Sequence, residues 1–137
     1  MLNVFVDTAA WIALLNANDA LHAQAQQVMR TLRHQNTHLV TTEFVLLEVA
    51  DALSAPSVRS RTVTFIEGLR QLPILRVVPA SQDLLTEGWA LYGQRPDKDW
   101  GLTDCTSFVV MTQEQISQAF TSDHHFEQAG FVSLMLR

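Results

Sequence analysis

Leu2-Asn3-Val4-Phe5-Val6-Asp7 is a short β-prone run that stops on a carboxylate, and a helical pattern with Trp11, Leu14 and Leu15 on one face follows. The rest of the chain repeats that alternation. After the polar break Asn16-Ala17-Asn18-Asp19, helical spacing covers residues 20–34, 43–53, 57–71, 81 to about 92, and 103–114. Between them, 38–41, 74–78, 116–121 and 131–136 read as strands. Pro56 closes the helix before it, and Ser81 is placed to cap the one it opens. Residues 93–101, with two glycines, a proline and alternating charges, form the most loop-like stretch. Strands alternating with helices imply an α/β fold: a mostly parallel central sheet of about five strands, flanked by helices on both faces.

At 137 residues, 47% hydrophobic and 17% charged, the chain suits one globular domain, 1–137, with no repeat or linker. The single cysteine, Cys105, cannot form an internal disulfide, which points to a reducing compartment and a cytoplasmic protein. No basic segment precedes the first apolar run, so no signal peptide is expected. Apolar runs such as 9–15 fall far short of the ~20 residues of a membrane span. The net charge of −5 excludes a general coat of Lys and Arg for nucleic acid.

The acids themselves are suggestive. Asp7 and Asp123 each follow a predicted strand, and open α/β sheets bind ligands beyond the carboxyl ends of their strands. If those two strands are neighbours, the two carboxylates converge; the plainer alternative is that each caps the next helix. Glu48 lies in Phe44-Val45-Leu46-Leu47-Glu48-Val49-Ala50, the most apolar helix, where burial is expected and a buried Glu needs a partner or a metal. Glu43 is explained as a first-turn acid favoured by the helix dipole, and Asp104 admits the same explanation. Asp7, Glu48, Asp104 and Asp123 together would make an acidic pocket, whose mutual repulsion calls for a divalent cation. Hard oxygen ligands without a thiolate select Mg²⁺ or Mn²⁺ over zinc.

At these residues the sequence resembles the PIN-domain ribonucleases, in particular VapC-type toxins of prokaryotic toxin–antitoxin pairs. Val4-Phe5-Val6-Asp7-Thr8 resembles the first-strand motif. Thr41-Thr42-Glu43-Phe44-Val45-Leu46-Leu47-Glu48-Val49 resembles the second, placing the family's glutamate at Glu48. Asp99-Trp100-Gly101-Leu102-Thr103-Asp104-Cys105 resembles the third, and Thr121-Ser122-Asp123-His124-His125-Phe126 the fourth. Relatives often carry Ser or Asn in place of Ala9, and Ser in place of Gly101. The four motifs in order span essentially the whole chain.

The resemblance implies a single PIN-like domain that cleaves RNA phosphodiester bonds with metal-activated water. Asp7 would be the central ligand, Asp104 and Glu48 would complete the first site, and Asp123 would serve a second ion or its water. Thr8 and Ser107 are candidates for supporting or substrate-binding roles, with local helix-start hydrogen bonding as the alternative. Arg95 and Lys98 are the preferred phosphate contacts, because their loop leads into Asp104. His124 and His125 are read as structural hydrogen-bonding groups, with donation to a phosphate as the alternative, and Cys105 as a small packing residue. Trp11, Phe65, Leu69 and Trp89 suggest more apolar helix surface than one core absorbs. The resemblance further implies a homodimer and a small antitoxin protein that fills an apolar groove.

A phosphotransferase of the haloacid dehalogenase type needs a second Asp where Ala9 stands, and a receiver domain needs a lysine after a late strand, whereas the only one is Lys98. The alternative of another class is a catalytically idle PIN-fold module that binds RNA or protein. Without the four pocket acids, ten acids face nine bases, so most of the negative balance belongs to one pocket.

Overall fold

Val4, Phe5 and Val6 are all completely buried in β1 (Asn3–Val6), so both faces of this strand are covered, as expected at the centre of a parallel sheet. The computed structural model describes residues 2–135. Met1, Leu136 and Arg137, and with them the last residue of the strand expected over 131–136, lie outside the described residues.

After β1 the chain forms α1 (Thr8–Leu15), α2 (His22–His34), β2 (His38–Thr42), α3 (Glu43–Ala52), α4 (Pro56–Leu69) and β3 (Leu75–Val78). It continues through α5 (Gln82–Gln94), α6 (Leu102–Gln113), β4 (Gln118–Phe120), α7 (His124–Gln128) and β5 (Val132–Ser133). The sheet order is β3-β2-β1-β4-β5 with every pairing parallel, so the chain winds outward from β1 in one direction and then in the other. That reversal puts a crevice beyond the carboxyl ends of β1 and β4.

Local chemistry sets the boundaries. Thr42 Oγ1 accepts the Val45 amide at 3.0 Å to cap α3, and Ser81 Oγ accepts the Leu84 amide at 3.1 Å to cap α5. Pro56 occupies the first turn of α4, where a missing N–H costs nothing. The expected elements are present, and α7 is an addition. Its five residues are too few for helical periodicity to register in the sequence.

The core absorbs more than expected. Trp11 is completely buried, donates Nε1–H to Thr41 Oγ1 at 3.2 Å, and meets Phe65 edge-on at 6.2 Å. Thr41 passes its own proton to the Val6 carbonyl at 2.8 Å, which satisfies the buried polar chain. Leu69 is also buried, so of the four residues expected to exceed the core only Trp89, 62% exposed, stays outside. Helices α5 and α6 touch at Gly88, where a Cβ would stand 2.6 Å from Thr106 Cγ2. This close approach seats the first half of α6, which carries Asp104. Among the described residues no helix is long and apolar enough to cross a membrane.

Candidate active site

The β1–β4 ladder extends to Asp7, whose amide donates to the Phe120 carbonyl at 3.1 Å. Thr121, the next residue on the β4 side, then ties the crevice together. Its hydroxyl donates to Asp7 Oδ2 at 2.9 Å and accepts the Asp123 amide at 3.0 Å. The two strands are neighbours, so the condition for bringing Asp7 and Asp123 to one end of the sheet is met. Thr121 carried no functional reading in the sequence; its place between a strand end and an aspartate two residues on was the available signal.

Asp7 is 2% exposed and stands at the N-cap of α1 without making a capping hydrogen bond. Its Oδ1 is buried and has no hydrogen-bond partner among the described residues. Burial pushes its pKa up to about 7, with the charges of Asp104 and Glu48 adding to the rise and the Thr8 amide and Thr121 hydroxyl opposing it. A buried carboxylate with a free oxygen, electrostatically coupled to two further carboxylates, has the donor chemistry to hold a hard cation.

Asp104 occupies the third position of α6 and reaches back to the Gly101 amide, with Oδ2 accepting at 3.1 Å. Gly101 has no side chain for the reciprocal capping bond. The same Oδ2 lies 2.9 Å from His125 Nδ1. Burial raises the Asp104 pKa; the His125 and Gly101 hydrogen bonds oppose this, and the charge of Asp123 reinforces it. Asp123 does cap α7, accepting the His125 amide at 2.9 Å.

His125 is the hub of this side of the crevice. Nδ1 is also 3.4 Å from Asp123 Oδ1, and Nε2 is 3.1 Å from Asp99 Oδ1. Nε2 faces the Asp99 carboxylate without an aligned hydrogen bond. Burial on its own would lower the His125 pKa, yet the Asp104 bond and the charges of Asp123, Asp104 and Asp99 together raise it. The expected structural hydrogen-bonding role is what His125 performs; His124 is exposed, 3.7 Å from Asp123. Ligand atoms of Asp123, His124 and His125 all fall within 4.8 Å of one another. This group overlaps the four acids only at Asp123. We weight the acids more heavily, because His125 Nδ1 already serves Asp104.

Glu48 departs from expectation: it is exposed, not buried. Only Val45, Leu46 and Val49 of α3 enter the core, while Leu47 beside Glu48 is 59% exposed, so the apolar composition of α3 overstates its burial. Glu48 nevertheless reaches the crevice, accepting the Thr8 hydroxyl at 2.5 Å and acting on Asp7 through its charge. Glu43 is engaged elsewhere, at 3.0 Å from Arg70 and 2.7 Å from the Ala80 amide, which hold its pKa below the usual range.

The remaining expected residues divide. The Thr8 hydroxyl is committed to Glu48 across 40 residues, which is not local helix-start bonding. Ser107 is completely buried and donates to the Thr103 carbonyl at 3.1 Å, leaving no surface for substrate and correcting that expectation. Arg95 and Lys98 do lie on a loop that abuts the crevice through Asp99 and Gly101. Arg95 forks onto Asp97 with two 3.0 Å bonds and lies 5.0 Å over the Trp100 ring; Lys98 Nζ is 4.0 Å from Asp97.

Comparison with known proteins bears on the family and the fold. The PIN domain family model matches residues 4–132. The chain is 30% identical over 131 residues to the 23S rRNA-specific endonuclease VapC20 of Mycobacterium tuberculosis, covering 96% of this chain and 97% of that one. The crystal structure of VapC20, described as a Sarcin-Ricin loop cleaving toxin, superposes with a TM-score of 0.82 over 94% of this chain and 96% of that one, at 30% identity. Two more distant structures share the fold. VapBC2 from Rickettsia felis has a TM-score of 0.71 at 12% identity, covering 96% of this chain and 97% of that one. FitAcB from Neisseria gonorrhoeae has a TM-score of 0.67 at 15% identity, covering 96% of each chain.

Proposed function

The chain belongs to the PIN-domain family, and on that footing we propose that it is a metal-dependent endoribonuclease, the toxin of a toxin–antitoxin pair. The observation that carries the metal is Asp7: a buried carboxylate with one unpartnered oxygen, under the field of Asp104 and Glu48. Asp7, Asp104 and Glu48 would hold the ion, with Asp123 serving a second ion or its water. Bound Mg²⁺ or Mn²⁺ would supply charge compensation at the phosphate and a lowered pKa for the attacking water.

The other residues prepare that site. Thr121 fixes the Asp7 carboxylate, Thr8 fixes Glu48, and His125 with the Gly101 amide fixes Asp104. Such supporting bonds hold ligands in place before the cation arrives. Arg95 and Lys98, beside the crevice, would take substrate phosphates. Similarity to VapC20 supports ribosomal RNA as the substrate class. As the partner of this toxin we propose a small antitoxin protein. We further propose a homodimer acting in the cytoplasm, with residues 1–137 forming one domain.

Calorimetric titration with Mn²⁺ tests the metal site. The unmodified chain is expected to bind the ion and Asp7→Asn to lose that binding. Heat of binding unchanged by Asp7→Asn, or absent from the unmodified chain, would remove the site.

A further inference from the structure

Beside the acidic crevice runs an open groove of about 520 Å³, lined by Trp89, Tyr92, Arg95, Lys98, Trp100 and Gly101 among others. Trp89 and Tyr92 are 62% and 46% exposed, and their rings stack 5.5 Å apart and only 8° from parallel. The core leaves both outside although it absorbs Trp11 and Leu69. Two large rings left side by side on the surface mark an interaction site, unlike apolar residues scattered singly.

We propose that this groove is a stacking platform for unpaired bases of the RNA strand whose phosphate enters the acidic crevice. The inference rests on the endoribonuclease reading and deepens it: the substrate is single-stranded where it meets the protein. Trp89 takes a base on its open face, Tyr92 supports the indole from behind, and Arg95 and Lys98 hold the adjoining phosphates.

Two observations favour a nucleic acid over a second copy of the chain. The groove borders the crevice: Gly101 lines it and donates its amide to Asp104. Asp99 likewise lines it and touches His125. A strand lying in the groove would therefore pass next to the residues that hold Asp104 and His125. The lining also places the two cations Arg95 and Lys98 between aromatic rings on either side, Trp89 and Tyr92 before them and Trp100 after, with Asp99 as the one acid among the groove's lining residues. Rings for bases of any identity and charges for the backbone are the chemistry that tracks a single strand. Arg95 forks onto Asp97 in an exposed ion pair, and the same planar fork matches two oxygens of a phosphate.

Fluorescence anisotropy with a short labelled oligoadenylate, in the Asp7→Asn background so that no strand is cut, tests the platform. Trp89→Ala is expected to weaken binding roughly tenfold, as loss of one stacked base should, while Trp89→Phe retains most of the affinity. The same strand annealed into a duplex should bind worse than the single strand. In the cleaving protein, Trp89→Ala should raise KM for RNA and leave kcat near its original value. Trp89 is exposed, so these variants keep the core intact. Equal binding by Trp89→Ala and its parent, or equal binding of duplex and single strand, would overturn the proposal. Sedimentation showing that Trp89→Ala turns a dimer into monomers, with RNA affinity unchanged, would give the groove to a second copy. If the unmodified chain cuts no RNA with Mg²⁺ or Mn²⁺, the endoribonuclease reading falls and takes the platform with it. If it cuts RNA and Trp89→Ala leaves KM unchanged, the platform alone falls.

Discussion

Replacing Asp7 with asparagine removes the ionisable group from the most enclosed position of the crevice, and the structure sets the size and the pH dependence of the effect. Folding raises the proton affinity of Asp7. Its contribution to stability is therefore full below the ordinary carboxylate pKa of 3.8 and is lost as pH rises through about 7. At about 1.4 kcal/mol for each tenfold change in proton affinity, the rise from 3.8 to about 7 means that ionised Asp7 costs the metal-free fold about 4 kcal/mol at high pH. The amide of the variant carries no charge at any pH, but it places N–H donors where Oδ1 had no partner, a penalty of about 1–3 kcal/mol that does not vary with pH.

The difference between two pH values cancels that penalty. Asp7→Asn should gain on the unmodified protein by about 3 kcal/mol between about pH 5 and about pH 8. Urea unfolding in the presence of a chelator measures it, provided the m-values of the two proteins agree. Saturating Mg²⁺ should then restore the unmodified protein and leave the variant where it was, because only the carboxylate form gains a ligand. A stability difference that stays constant across that pH range would refute the reasoning, since it would mean that Asp7 titrates normally and is not held in a desolvated pocket.

Further outcomes follow from other contacts. Glu48→Gln should abolish most RNA cleavage in an electrophoretic assay while Glu43→Gln leaves it intact, because of these two glutamates only Glu48 is coupled to Asp7; the reverse pattern would move the second motif's acid to Glu43. His125→Ala frees Asp104 from its 2.9 Å bond and should weaken Mn²⁺ binding about 10- to 100-fold by calorimetry; unchanged affinity would show that His125 does not position the ligand. Gly88→Ala drives a methyl group to 2.6 Å from Thr106 Cγ2 and should lower stability by about 1–3 kcal/mol in urea. Gly93→Ala, in the same helix with nothing within 4 Å, should instead stabilise by about 0.5–1 kcal/mol, and equal effects at both glycines would rule out the helix contact as the cause.

Much of the fold was legible because its strands and longer helices carry period and punctuation. The run ending at Asp7, the capping Ser81 and the Pro56 break each have a local physical cause that leaves its mark in sequence. What was not legible depends on contacts made across the chain. Glu48 was misread as buried because composition counts apolar neighbours without revealing which side of α3 meets the sheet. Thr121 and His125 act through residues 114 and 21 positions away, and no local pattern reports such a bond. Ser107 looked available beside Asp104, yet its hydroxyl bonds back within α6. Trp89 was singled out with Trp11, Phe65 and Leu69 as surplus apolar surface, and only the packed core shows which of the four was left outside.

On the proposed reading, the acids around the β1–β4 crevice hold the cation that RNA cleavage requires. Incubation of purified protein with ribosomal RNA in Mg²⁺ or Mn²⁺, set against a chelator control and the Asp7→Asn and Asp104→Asn variants, tests it most directly. Discrete fragments are expected from the unmodified protein with metal, and none with the chelator or from either variant. Cleavage that persists in both variants, or an unmodified protein that leaves the RNA whole in either metal, would contradict it.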